Sequence, residues 1–337
     1  MTRRQALAIS ASLAGCRSRQ SNGHVRMATS GAAGLGFLPH ALAQQLGFYR
    51  EQALSLQVES VLGAQKALMG GSADVVVSYF DHPVRITALG RTVTAFVVLA
   101  RYPGIAIVTS GRASKPIRHL TDLKGRLVGI PSRGGAVDFF TKYLLIRHGL
   151  SPGDVRLTPV GATASALAAL EQGKVDAWSG MDPGITRYRR RHPEAVILAD
   201  ARTADGLEQC TGSREHAGAV LYSTAEWLDR NATTARRLAR AIQQALQWIH
   251  SHTAEEIARQ VPAAFHGGDL GGYVLALSNS KEMYSPDGHM NHEAASSVHR
   301  VLAASIETVR IAQFDLSKTY TNMFVAASEA RSSFGHC

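Results

Sequence analysis

The chain has 337 residues, 45% of them hydrophobic and 18% charged, and a formal net charge of +10. That length admits two domains with separate cores, and the composition is ordinary for a soluble globular protein. No run of 18 apolar residues offers a membrane-spanning helix, and the basic balance favours anionic partners without choosing among them.

Residues 1–15 read as a removable leader. Thr2-Arg3-Arg4 is a charged start, Ala6 to Ala14 is mildly apolar, and Leu13-Ala14-Gly15-Cys16 resembles a bacterial lipobox. A leader of this shape is set aside from fold reasoning. Cys16 becomes the expected lipid attachment point and residues 16–23 a polar tether. The paired arginines suit both a twin-arginine and an ordinary secretion signal. Whether Cys210 and Cys337 pair stays open, and no Cys/His cluster has zinc-site spacing.

From residue 24 to about 200, strand-like and helix-like runs alternate. His24–Thr29 reads as a strand ending in the small turn Ser30 to Gly34. Phe37–Phe48 has helical spacing, Leu54–Val61 alternates as a strand does, and Ala64–Met69 is a short helix. Ala73–Ser78 reads as a buried strand. Phe96–Ala100 and Ile105–Thr109 are two more, joined by a turn at Arg101 to Gly104. The pattern restarts after residues 110–120. Strands are predicted at Leu127–Ile130, Val155–Pro159, Ala177–Ser179 and Val196–Ala199, with helices at Phe139–His148, Ser165–Gln172 and Ile185–Arg191. Ala219–Tyr222 reads as a strand returning to the first unit. Helices follow at Ala232–Thr253, Ala254–Val261, Leu270–Leu277 and His292–Val309. Such alternation implies α/β units with parallel-rich sheets and helices on both faces.

The stretch from Asp122 to Asp182 carries the most chemistry. Its first strand breaks at Pro131 into Ser132-Arg133-Gly134-Gly135, ahead of an amphipathic helix. A glycine-rich turn at a helix start offers unpaired N–H groups at the positive end of the dipole, which suits an anion. Arg133 adds a charge and a forked donor. Thr163, Trp178 and Asp182 sit at or near later strand ends; in the first unit Ser30, Ser78, Tyr79 and Asp81 do the same. Each also has a plain structural reading. Small hydroxyls cap helices, Trp178 suits a core as well as a ligand stack, and Asp182-Pro183 suits a helix start. Asp81-His82 invites a general-base reading, but sequence neighbours rarely align for it. His289, His292 and His299 read as a solvated helix face rather than metal ligands.

The ordered set of motifs resembles the substrate-binding proteins of ABC importers of the sulfonate/nitrate/taurine type, a superfamily that includes thiamine-pyrimidine precursor proteins. The matching residues are Gly47-Phe48-Tyr49, Leu54 to Val58, Gly70 to Val75, Ser78 to His82, Arg101 to Gly104, Asp122 to Gly125, Gly129 to Ser132, Leu167 to Ala177 and Asp315 to Asn322. The resemblance implies the type II periplasmic-binding-protein fold, with two lobes, two crossovers and a ligand in the cleft. The expected lobes are residues 24–111 with 217–337, and residues 112–216.

It also implies a lipid-anchored, monomeric, periplasmic or cell-envelope protein, with no cofactor and no nucleic-acid partner. Such a protein hands a small anionic ligand to an ABC permease and catalyses nothing. A pyrimidine-precursor or aromatic-carboxylate binder stays open as an alternative, as does an enzyme of the pyrimidine-synthase type. Ligand-binding residues are then expected at Ser30, Ser78, Tyr79, Asp81, Ser132, Arg133, Gly134, Gly135, Thr163, Trp178 and Asp182.

Overall fold

A computed structural model describes residues 23–31, 34–61, 63–112 and 116–325. The leader, Cys16 and Cys337 lie outside the described residues, as do Ala32 and Ala33 of the first turn.

Ten strands run as β1 (His24–Thr29), β2 (Ser55–Ser60), β3 (Val75–Tyr79), β4 (Val93–Val98), β5 (Ile105–Thr109), β6 (Leu127–Ile130), β7 (Arg156–Pro159), β8 (Ala177–Met181), β9 (Ile197–Asp200) and β10 (Ala219–Thr224). They form two five-stranded sheets, ordered β2-β1-β3-β10-β4 and β7-β6-β8-β5-β9. Each sheet is parallel except for one strand, β10 in the first and β5 in the second. The fold is thus the expected two-lobed α/β architecture, with mixed rather than wholly parallel sheets.

Helices cover both faces of both sheets, which explains strands without polar alternation. All six residues of β4 are buried, as a strand between two helical layers requires. On one face of the first sheet, helix Ala232–Ser251 turns Leu238, Ile242, Ala245, Leu246 and Ile249 inward at three- and four-residue spacing. It packs on helix Leu38–Gln45. The opposite face holds Val76, Phe80, Val84 and Val98 under helix His292–Ala303. In the second lobe, helix Ala136–Arg147 covers one face. Helices Ala164–Glu171 and Gly184–Arg191 cover the other, around Trp178.

Three expectations need correction. Ile105–Thr109 pairs with β8 and β9, so the first crossover falls near residues 99–104 and not after residue 111. Asp81-His82 opens helix Asp81–Ala88, an element the periodicity does not announce. The run predicted at His292–Val309 is two helices, because the chain turns at residues 304–306 before Glu307–Ile311. The C-terminal helices also do not belong wholly to the first lobe. Helix Leu270–Ser280 packs on helix Gly184–Arg191 of the second, and Arg190 pairs with Asp269 at 3.0 Å.

The two crossovers run past each other at Gly218. A Cβ there would collide with the carbonyl oxygen of Tyr102, so only glycine permits this approach.

Candidate functional site

The C-terminal ends of β1 and β3 in one lobe face the ends of β6 and β8 in the other, with the crossovers at the back. In open α/β sheets this crevice is where ligands bind. Hydrogen bonds from Tyr79 and Arg85 bridge it. The Tyr79 hydroxyl donates to the Met181 sulfur at 2.7 Å. The Arg85 guanidinium donates to the Gly134 carbonyl at 3.0 Å. Arg85 also lies 4.7 Å from the centre of the Phe139 ring, a cation–π distance.

The first lobe brings its predicted residues together. Ser30 and Ser78 end adjacent strands, and their hydroxyl oxygens are 2.7 Å apart. One proton lies between them, which leaves the pair a second O–H to donate. Neither serine acts as the N-cap of a helix. Tyr79 packs edge-on against Phe37 at 5.5 Å, and burial, with the nearby charge of Asp81, pushes its phenol pKa up. The hydroxyl therefore stays a neutral donor. Asp81 is 5% exposed. Its Oδ2 lies 3.3 Å from Arg85, while Oδ1 is buried with no partner.

The second lobe departs from expectation. Arg133 does not enter the cleft; it folds back along the edge strand β7 and donates to the Leu157 carbonyl at 2.8 Å. The amide of Gly134 is not bare. It donates to Asp138 Oδ2 at 2.7 Å, so the positive end of helix Ala136–Arg147 already holds a carboxylate, which Lys142 also pairs at 3.0 Å. Gly135 is the N-cap, without a side-chain capping bond, and Ser132 beside it is exposed. Thr163, also exposed, precedes helix Ala164–Glu171 without capping it through its side chain.

Trp178 is fully buried, its ring lying over Gly180 and Gly184 on the helix-covered face of the sheet; it cannot stack on a cleft ligand. Asp182 is spoken for too. It accepts from the Thr186 amide, the Ser280 hydroxyl and Arg202 at 2.9, 2.8 and 2.8 Å. Arg202 is buried and also pairs with Asp200 at 2.6 Å. Burial works against its charge, yet the Asp200 and Asp182 contacts overcome it and raise its pKa.

Two residues not predicted also belong to the cleft. Arg85 is one, and its spacing four residues after Asp81 on a helix was a signal for the pair. His216, on the second crossover, is the other. Its Nδ1 lies 3.0 Å from the Ser297 hydroxyl and its ring meets Phe140 edge-on. Burial, and secondarily Arg300, lowers its pKa to about 3, so it stays neutral. Among the described residues, no group of three His, Cys, Asp or Glu side chains is placed to hold a metal ion.

The fold is shared with solved structures. A protein of Bordetella bronchiseptica RB50 is 32% identical, with 90% of this chain and 95% of that one covered and a TM-score of 0.83. The periplasmic aliphatic sulphonate binding protein SsuA of Escherichia coli is 20% identical over 89% of this chain and 92% of that one, with a TM-score of 0.67. The periplasmic nitrate-binding protein NrtA of Synechocystis PCC 6803 is 14% identical over 90% and 87%, also with a TM-score of 0.67. The family model described as NMT1/THI5 like matches residues 36–256, more than half of the sequence, and the chain belongs to that family.

Proposed function

We propose that the protein is an extracytoplasmic solute-binding protein of an ABC importer, which takes a small anion of the sulfonate or nitrate class between its lobes and delivers it to a membrane permease. The observation that carries this reading is the Ser30–Ser78 hydroxyl pair at the strand ends of a bridged cleft. Helices Ala64–Met69 and Asp81–Ala88 begin at the same edge of the sheet. The serine hydroxyls are neutral donors, which suit an oxyanion. The sulphonate- and nitrate-binding relatives of the same fold fit this class. The binder acts by closure, since a ligand touching both lobes favours the closed form by its extra affinity for it. It performs no reaction, works as a monomer, and is tethered to the membrane through Cys16.

A thermal-shift series with alkanesulfonates, nitrate, aromatic carboxylates and pyrimidines tests the ligand class. A midpoint that rises with concentration for a sulfonate or nitrate supports it. A rise with pyrimidines or aromatic carboxylates alone, or with none, overturns it. Cys16→Ser should release the protein from the membrane fraction.

A further inference from the structure

Met181 ends strand β8 at the cleft, and its sulfur accepts from the Tyr79 hydroxyl of the other lobe at 2.7 Å. Its side chain is half-buried, whereas Met27, Met283 and Met290 are 1, 2 and 5% exposed. A reachable thioether is open to oxidation to the sulfoxide, which makes a flexible apolar group polar and bulkier. Neither partner in this contact has room to give way. Asp182, the next residue, is pinned by the Thr186 amide, the Ser280 hydroxyl and Arg202. On the other side the Tyr79 ring packs against Phe37. Its hydroxyl lies so close to Gly36 that a Cβ there would stand 3.1 Å from it.

We propose that Met181 is an oxidation site through which hydroperoxides lower the protein's affinity for its anion. The inference rests on the function proposed above and adds a control to it. One oxidant suffices. The sulfur lone pair attacks a peroxide oxygen, the O–O bond breaks, a proton moves to the departing oxygen, and water leaves. The sulfur gives up two electrons and the peroxide takes them. The new oxygen opposes binding wherever it sits. Directed at Tyr79, it needs space that a 2.7 Å contact does not hold, so the lobes must part. Directed elsewhere, it sets the negative end of the S–O dipole at the cleft wall, where it repels an anion. Sulfoxide reductases undo the change, so the control is reversible.

Treatment of the full chain with hydrogen peroxide, read by peptide mass mapping and by calorimetric titration with ethanesulfonate, tests this. Met181 should gain one oxygen, as should Met323, which is 71% exposed. Oxidation should weaken ethanesulfonate binding about fivefold, the scale of one lost hydrogen bond, and a methionine sulfoxide reductase should restore it. Met323→Leu should respond to peroxide as the wild type does. Met181→Leu should not respond, whatever its starting affinity; should that variant misfold, Met323→Leu still separates the two residues. A Met181 that stays unoxidised while Met323 is converted overturns the site. Full conversion of Met181 with unchanged affinity overturns the control while leaving the proposed function standing. If ethanesulfonate does not bind the untreated protein, the proposed function fails on its own, and an unconverted Met181 in the mass map still overturns the site.

Discussion

Arg85 reaches from the first lobe to the Gly134 carbonyl of the second at 3.0 Å while staying 3.3 Å from Asp81 on its own helix. The link crosses directly between the lobes, so a rotation that opens the cleft would break it. Arg85→Ala should weaken ligand binding about five- to tenfold, the worth of one charged hydrogen bond at a partly exposed site. The unfolding midpoint of the free protein should move little. Titration calorimetry beside a thermal melt checks both, and unchanged affinity would show that the link does not govern closure.

Arg133 makes the opposite case. Its guanidinium is committed to the Leu157 carbonyl, away from the cleft. Arg133→Ala should leave affinity for any anionic ligand within about twofold, inside the usual range of a surface substitution. A tenfold loss would place the side chain in the cleft after all.

The Asp182–Arg202–Asp200 cluster is a buried ionic node beside the first crossover, whose Gly104 amide donates to the Ala201 carbonyl. Removing only the cation leaves Asp182 charged, nearly dry and short of a partner. Arg202→Met should cost about 3–5 kcal/mol of unfolding free energy, read by urea denaturation. A loss below about 1 kcal/mol would mean that water or Ser280 satisfies Asp182 unaided.

Acid should destabilise the fold through buried histidines. Burial lowers His40 to about 4 and His216 to about 3, against an ordinary value near 6.5. Between those limits the unfolded chain binds protons that the native one refuses, so stability rises with pH. It is complete above about pH 6.5. As pH falls below that, each histidine costs up to about 1.4 kcal/mol per pH unit, until the native ring also protonates. Chemical denaturation at pH 7, 6 and 5 should show this slope, and His40→Gln should reduce it. An identical slope in that variant would assign the acid sensitivity to other groups.

Much of the architecture was readable because burial writes itself into local pattern. The Val75–Val77 run and the three- and four-residue spacing from Leu238 to Ile249 announce a covered strand and a one-faced helix. Pairing partners are written less locally. Ile105–Thr109 is plainly a strand, yet nothing in its five residues says that it joins β8 and not β4. The site was half readable for the same reason. Ser30, Ser78 and Tyr79 follow strand ends, and that position alone puts them at the cleft. Arg133 follows one too, but a long side chain chooses its direction from neighbours, here the free edge of β7. The anion-ready turn at Ser132–Gly135 contained its own answer in Asp138, a carboxylate in the first turn of the helix that satisfies the amide before any solute arrives.

The exchange of β5 and β10 has an effect on how the molecule is made. Each is an interior strand of its sheet, flanked on both sides. During synthesis the first lobe's sheet waits for residue 224 before it can close, by which time all five strands of the second sheet have been made. A nascent chain halted near residue 110 would display β3 and β4 as open edges with a gap between them, a surface prone to mispairing. Separately expressed halves should thus be insoluble alone and regain solubility when mixed.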